Sequence, residues 1–171
     1  MTIVGTTRAD VLRGTEQADV IRGLAGNDTL RGRGGSDRRD GGAGNDVTFG
    51  DVGNDSLVAG GVGFADELHG GAGDDSLTSK GGGIVRLIGG QGNDVLRGSS
   101  TPEFTQDTFS GGPGNDRLLG YDFESTADAF MPNGCGAGVD VVEVLGAPVS
   151  ARTEIAETLR SIHGCERVIF R

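Results

Sequence analysis

The 171-residue sequence has no tryptophan, one tyrosine and seven phenylalanines, so aromatic packing contributes little to any core. Apolar residues of all kinds reach only 35%, while 34 residues are glycine. That glycine share, against roughly 7% in ordinary proteins, excludes an ordinary helical domain. Basic charge is also scarce: 15 Lys and Arg face 25 Asp and Glu, for a net charge of −10, and Lys80 is the single lysine. Such a balance does not neutralise phosphates, so no nucleic-acid partner is expected and cations are the expected partners. No apolar run approaches the ~18 residues of a membrane span. Met1–Gly5 lacks the basic and apolar regions of a secretory signal. With two histidines, no Gly-x-Ser-x-Gly elbow and no Gly-Lys-Ser/Thr ending, the chain has no visible acyl-transfer or phosphate-loop machinery, and no enzyme is expected.

What is present is a repeat of nine. Aspartates recur at Asp10, Asp19, Asp28, Asp37, Asp46 and Asp55, shift phase to Asp66 and Asp75, and continue at Asp94, Asp107 and Asp116. Two residues after most of them stands an aliphatic residue: Leu12, Ile21, Leu30, Leu57, Leu68, Leu77, Leu96 and Leu118. Each unit divides into about six turn residues and a triplet of the form x-apolar-x. Side chains alternate along a strand, so the middle residue of each triplet points inward. Two turns and two short strands, ~18 residues, then complete one coil of a flattened solenoid whose coils stack as parallel strands at about 4.8 Å.

Stacking sets an electrostatic problem. Aspartates one coil apart fall into columns, and at roughly 5 Å with an effective dielectric near 20 each neighbouring pair repels by about 3 kcal/mol. A solenoid that used its aspartates only as turn residues would explain Asp and Gly, but not the stacked like charge. Carboxylates together with carbonyls exposed by glycine turns, without His or Cys, make a hard all-oxygen site. Calcium fits such a flexible cage better than magnesium does.

The clearest blocks are Gly41-Gly42-Ala43-Gly44-Asn45-Asp46, Gly70-Gly71-Ala72-Gly73-Asp74-Asp75, Gly89-Gly90-Gln91-Gly92-Asn93-Asp94 and Gly111-Gly112-Pro113-Gly114-Asn115-Asp116. They resemble the Gly-Gly-x-Gly-x-Asp-x-aliphatic-x nonapeptide of the repeats-in-toxin (RTX, hemolysin-type) calcium-binding family, over about residues 5 to 120. The resemblance implies an all-β fold, a right-handed parallel β-roll that folds on binding several calcium ions outside the cell. By position it assigns ligating carboxylates to Asp28, Asp37, Asp46, Asp55, Asp75, Asp94 and Asp116. Companion carbonyls fall to Gly26, Gly41, Gly44, Gly71, Gly73, Gly90, Gly92, Gly112 and Gly114. Asp10, Asp19, Asp66 and Asp107 complete the candidate set.

Departures from the motif carry their own expectations. The turns Gly5–Asp10 and Gly14–Asp19 lack the inner glycines, as expected of an N-terminal cap over residues 1–22, with Asp10 and Asp19 each lending a carboxylate to the coil above. The inward position after Asp37 falls on Arg39, and the next on Thr48. Because burying an unpaired guanidinium is prohibitive, the strand there is expected to be irregular or Arg39 to snorkel outward. Gly81-Gly82-Gly83-Ile84-Val85 has no aspartate, so one edge is expected to lose a site around residues 80 to 88. Ser99 to Gln106 reads as an inserted loop. His69 falls on an outward, solvated strand position.

After Gly120 the repeat decays, and residues 121–171 read as a small strand-helix-strand cap. Val139–Leu145 is one strand, 151–163 an amphipathic helix after Ser150, and Glu166–Phe170 the last strand. Cys135 and Cys165 permit one disulfide closing about 30 residues, which would stabilise by roughly 3 to 4 kcal/mol. The expected function is that of a calcium-dependent extracellular or cell-surface module, structural and non-enzymatic, able to enter a homo-oligomer or larger assembly. Two alternatives stay open: a surface adhesin or ligand-binding solenoid, and the accessory domain of a secreted hydrolase.

Overall fold

The computed structural model describes residues 1–61, 65–80, 83–99, 107–121, 130–132, 135–138, 140–145, 152 and 165–171. With strands numbered in chain order, one parallel sheet runs β1 (Thr2–Val4), β3 (Val20–Ala25), β5 (Arg38–Ala43), β7 (Ser56–Ala59), β9 (Ser76–Ser79), β11 (Val95–Arg97), β14 (Arg117–Tyr121), β17 (Val141–Leu145) and β18 (Arg167–Phe170). The other runs β2 (Val11–Arg13), β4 (Thr29–Arg31), β6 (Val47–Val52), β8 (Ala65–Ala72), β10 (Ile84–Gln91), β12 (Asp107–Ser110) and β15 (Phe130–Pro132). A short pair, β13 (Gly112–Pro113) and β16 (Gly136–Ala137), lies in the turns. The chain alternates between the sheets, so this is the flattened parallel solenoid that the nine-residue period predicts.

Register follows from the inward residue of each triplet. In the first sheet Ile3, Ile21, Arg39, Leu57, Leu77, Leu96, Leu118, Val142 and Val168 are successive partners. In the second the series is Leu12, Leu30, Thr48, Leu68, Leu87 and Phe109. Ile21, Leu30, Leu57, Leu68, Leu77, Leu87, Leu96, Phe109, Leu118 and Val142 are fully buried. Each such side chain contributes roughly 1.5 to 3 kcal/mol. Leu12, in the terminal coil, is only partly covered. Val85 pairs with Asp66 and takes the aspartate position on that edge, as the sequence of residues 80–88 anticipates.

Two expectations about strand positions need revision. β5 is a regular strand paired on both sides, and Arg39 points inward with 2% exposure instead of snorkelling. The burial is tolerated because the guanidinium is not unpaired: Nη2 donates to the Asp37 carboxylate and, at 3.0 Å, to the Gly50 carbonyl. His69 does face outward, yet it stacks on Phe49 at 4.8 Å and lies 3.1 Å from Glu67, so it is half-buried rather than simply solvated. Arg31 covers the other face of the Phe49 ring at 4.6 Å.

The first sheet continues through β17 and β18 in unbroken parallel register. Cys135 and Cys165 form the expected disulfide, Cα–Cα 5.3 Å, between the turn before β17 and the residue pair preceding β18. The helix expected over 151–163 lies, apart from Arg152, outside the described residues, as does 100–106 of the expected loop.

Two measurements check this packing. The Thr48 hydroxyl is buried with no partner among the described residues, so Thr48→Val should raise stability by about 1 kcal/mol, read as a higher thermal midpoint. Reducing the disulfide should cost roughly 3 to 4 kcal/mol in calcium-saturated protein, measured by urea unfolding with and without reductant.

Candidate metal centres in the turns

Each aspartate closes a six-residue turn and reaches along the coil axis. At Asp28, Asp37, Asp46, Asp55, Asp66, Asp75, Asp94, Asp116 and Asp140 the Oδ1 accepts the backbone N–H of the aspartate one coil earlier. Asp28 N–H donates to Asp46 Oδ1, Asp55 to Asp75, Asp75 to Asp94, Asp94 to Asp116 and Asp116 to Asp140, all at 2.8 Å. Two ladders result. One contains Asp10, Asp28, Asp46 and Asp66, with Asp107 beyond the Val85 step; the other contains Asp19, Asp37, Asp55, Asp75, Asp94, Asp116 and Asp140. Glu166 closes the second by accepting the Asp140 N–H at 2.8 Å.

The other carboxylate oxygen separates the turns into two kinds. In Gly5–Asp10 and Gly14–Asp19, Thr6 and Thr15 donate both N–H and hydroxyl to Oδ2, at 2.6 and 2.8 Å for Asp10 and 2.6 and 2.9 Å for Asp19. In the inserted turn Ser99 N–H does the same for Asp107 at 2.7 Å. The glycine-rich turns instead carry positive φ at their second and fourth positions, as at Gly71 (117°) and Gly73 (130°) before Asp75. There Oδ2 is buried and has no hydrogen-bond partner among the described residues at Asp28, Asp46, Asp55, Asp75, Asp94, Asp116 and Asp140.

These orphaned oxygens do not stand alone. A Cβ built on Gly50 would lie 2.6 Å from Asp55 Oδ2 and collide with the Gly70 carbonyl oxygen. Equivalent points at Gly23, Gly70, Gly89 and Gly111 are shared by the turn's own Oδ2 and the first carbonyl of the next coil: Gly41, Gly89, Gly111 and Cys135. Every such point is a small cradle of a carboxylate and a carbonyl oxygen, and glycine at the first position keeps it open. Of the carbonyls named by resemblance, Gly41 reaches a cradle. Those of Gly26, Gly71, Gly73, Gly90, Gly92, Gly112 and Gly114 lie instead under the Cα of the equivalent turn position one coil on, and Gly44 packs over Gly26. Three site residues are not found from the motif alone. Asp140 stands in Cys135-Gly136-Ala137-Gly138-Val139-Asp140, where cysteine replaces the first glycine but the spacing is intact. Glu166 has no motif, and Cys135 offers its carbonyl in place of a glycine's.

Burial dominates the electrostatics. Desolvation pushes Asp75 and Asp116 up to about 7, with neighbouring ladder carboxylates adding to the rise. It lifts Asp66, Asp94 and Asp107 to about 6 and raises Asp46, Asp55 and Asp140 as well. Asp19 moves the other way, to about 2, held by the N-terminal ammonium 2.7 Å away and then by Thr15.

Unpartnered carboxylate oxygens converging with carbonyls fit a hard divalent cation, which supplies the missing positive charge. Among the described residues no three His, Cys, Asp or Glu side chains gather as a metal cluster, so main-chain oxygens share the task. A parallel solenoid with hard-oxygen cradles repeated along its edges is a calcium-binding β-roll. The family described as RTX calcium-binding nonapeptide repeat (four copies) matches residues 4–38, 40–57, 60–82, 81–100 and 105–122. The chain belongs to that family, whose repeats bind calcium and are structural, not catalytic by themselves. A search of curated proteins returned no match. Among the described residues no helix is long and apolar enough to cross a membrane.

The raised carboxylate pKa values fix a pH dependence. A folded-state pKa above the unfolded value of about 4 means stability fully present below pH ~4 and lost as pH rises through 6 to 7. In chelator the β content read by circular dichroism should therefore fall between pH 4 and pH 8, as the carboxylates ionise without a counter-ion. In saturating calcium it should rise, because protons compete with the ion. A β content that stays high and unchanged over this range in chelator contradicts the burial of these groups.

Proposed function

We propose that this chain is a secreted or cell-surface structural module that folds when its turns take up calcium. The observation that carries the reading is the set of seven buried Oδ2 atoms without partners among the described residues, each in a left-handed turn. Without a cation, folding buries a column of like charge; with one, the same column becomes the axis that holds the coils together. Metal binding and folding are then one equilibrium. Calcium scarcity inside a cell keeps such a chain open, and the affinity range of extracellular modules, roughly 0.1 to 1 mM, suits closure after export.

The ligands we assign are Oδ2 of Asp28, Asp46, Asp55, Asp75, Asp94, Asp116 and Asp140, with the carbonyls of Gly41, Gly70, Gly89, Gly111 and Cys135. Residues 1–120 carry the repeat, and 121–171 close its C-terminal end. A second reading, a ligand-binding or adhesive solenoid, draws on the outward Arg31–Phe49–His69 stack, an ordered aromatic and cationic strip on the second sheet.

Far-UV circular dichroism of metal-stripped, disulfide-intact protein tests the first reading. A coil-to-β transition is expected with calcium and not with magnesium. Asp75→Asn should shift its midpoint about tenfold to higher calcium, equivalent to ~1.4 kcal/mol, while Asp74→Asn, on an exposed carboxylate, should leave it in place. A β-rich spectrum in chelator, unmoved by calcium, overturns the reading.

A further inference from the structure

Asp37 breaks the correlation between turn geometry and orphaned oxygen. Its turn, Gly32-Arg33-Gly34-Gly35-Ser36-Asp37, has positive φ at the second and fourth positions, 78° at Arg33 and 88° at Gly35, as the cradle-forming turns do. Yet Asp37 Oδ2 has a partner, the Arg39 guanidinium. Both side chains are 0% exposed.

Where the guanidinium sits matters more than that it is paired. At Gly23, Gly50, Gly70, Gly89 and Gly111 the cradle is bounded by the turn's own Oδ2 and the first carbonyl of the next coil. For the Gly32 turn those two oxygens are Asp37 Oδ2 and Gly50 O, and Arg39 Nη2 donates to both. It also lies 3.5 Å from Asp55 Oδ1, the next rung of the ladder. A Cβ built on Gly32 would fall on the guanidinium itself, where at Gly23 or Gly70 the nearest atoms are the two oxygens. Arg39 Nε and Nη1 are buried without partners among the described residues, so ordinary core satisfaction does not explain the residue.

We infer that Arg39 is a tethered cation in the metal position of this turn, and that the Gly32–Asp37 turn takes no calcium. The inference rests on the calcium reading of the other turns. A fixed guanidinium supplies its charge at any calcium concentration. Together with the threonine-closed turns at Asp10 and Asp19, it leaves the first two rungs of the second ladder independent of metal, the first dependent one being Asp55.

Calcium bound per chain, counted by equilibrium dialysis at saturation, should be one ion greater for Arg39→Leu, which restores the aliphatic residue of the repeat, than for the unaltered protein. Equal counts overturn the inference. Should Arg39→Leu fail to fold, anomalous scattering from calcium-grown crystals of the unaltered chain decides. Peaks at Asp55 Oδ2 and Asp75 Oδ2 with none at Asp37 are expected. A peak at Asp37 beside the others overturns the role of Arg39 alone. No peak at any turn overturns the calcium reading, and this inference falls with it.

Discussion

The aspartate ladder is the constraint on which the rest of the roll depends. Each carboxylate does two incompatible things: Oδ1 ties its coil to the previous one through a backbone N–H, while the charge it carries repels the carboxylates above and below. In a core with one inward side chain per short strand, apolar burial alone has little margin over the entropy of ordering a glycine-rich chain. The sign of the remaining electrostatic energy therefore decides whether the chain folds. Three devices in the structure set that sign: threonine or serine donors at Asp10, Asp19 and Asp107, a guanidinium at Asp37, and open cradles beside the orphaned oxygens of Asp28, Asp55, Asp75, Asp94 and Asp116.

These devices share one logic, to deliver positive charge or N–H dipole to Oδ2, but differ in whether the donor belongs to the chain. Threonine turns are closed from within and need no inner glycines. Glycine turns give up the internal donor, and the left-handed residues at their second and fourth positions make closure conditional on something outside the chain. Glycine is therefore the residue that converts a permanent turn into a conditional one. Its abundance, which excludes a conventional core, is what a metal-responsive edge requires.

Much of this was legible in the sequence. The nine-residue aspartate period sets two columns and two sheets, and the aliphatic residue two positions on sets which side chain is buried. Turn length was less legible. Successive steps of the second ladder are 18, 20, 19, 22 and 24 residues, yet the strands on either side keep their parallel register. Arg39 was misjudged because a one-dimensional pattern counts an inward arginine as unpaired; its partners, Asp37 and the Gly50 carbonyl, come together only when coils stack. Asp140 is harder to read as a candidate ligand because cysteine stands at the first turn position, although the spacing to the aspartate is intact and its Oδ1 continues the ladder. The carbonyls that bound the cradles, each the first of the turn above, carry no mark in the motif, because a main-chain oxygen comes from any residue.

Stacked coils that touch only their neighbours also set how the molecule meets mechanical load. Traction on its two ends would peel one coil at a time, each release adding roughly 60 Å of slack chain. The cross-link between Cys135 and Cys165, 30 positions apart, removes the residues between them from that series. Under tension the last coil would hold as a knot that cannot lengthen, while the coils before it act as a ratchet whose stiffness follows the ions they hold.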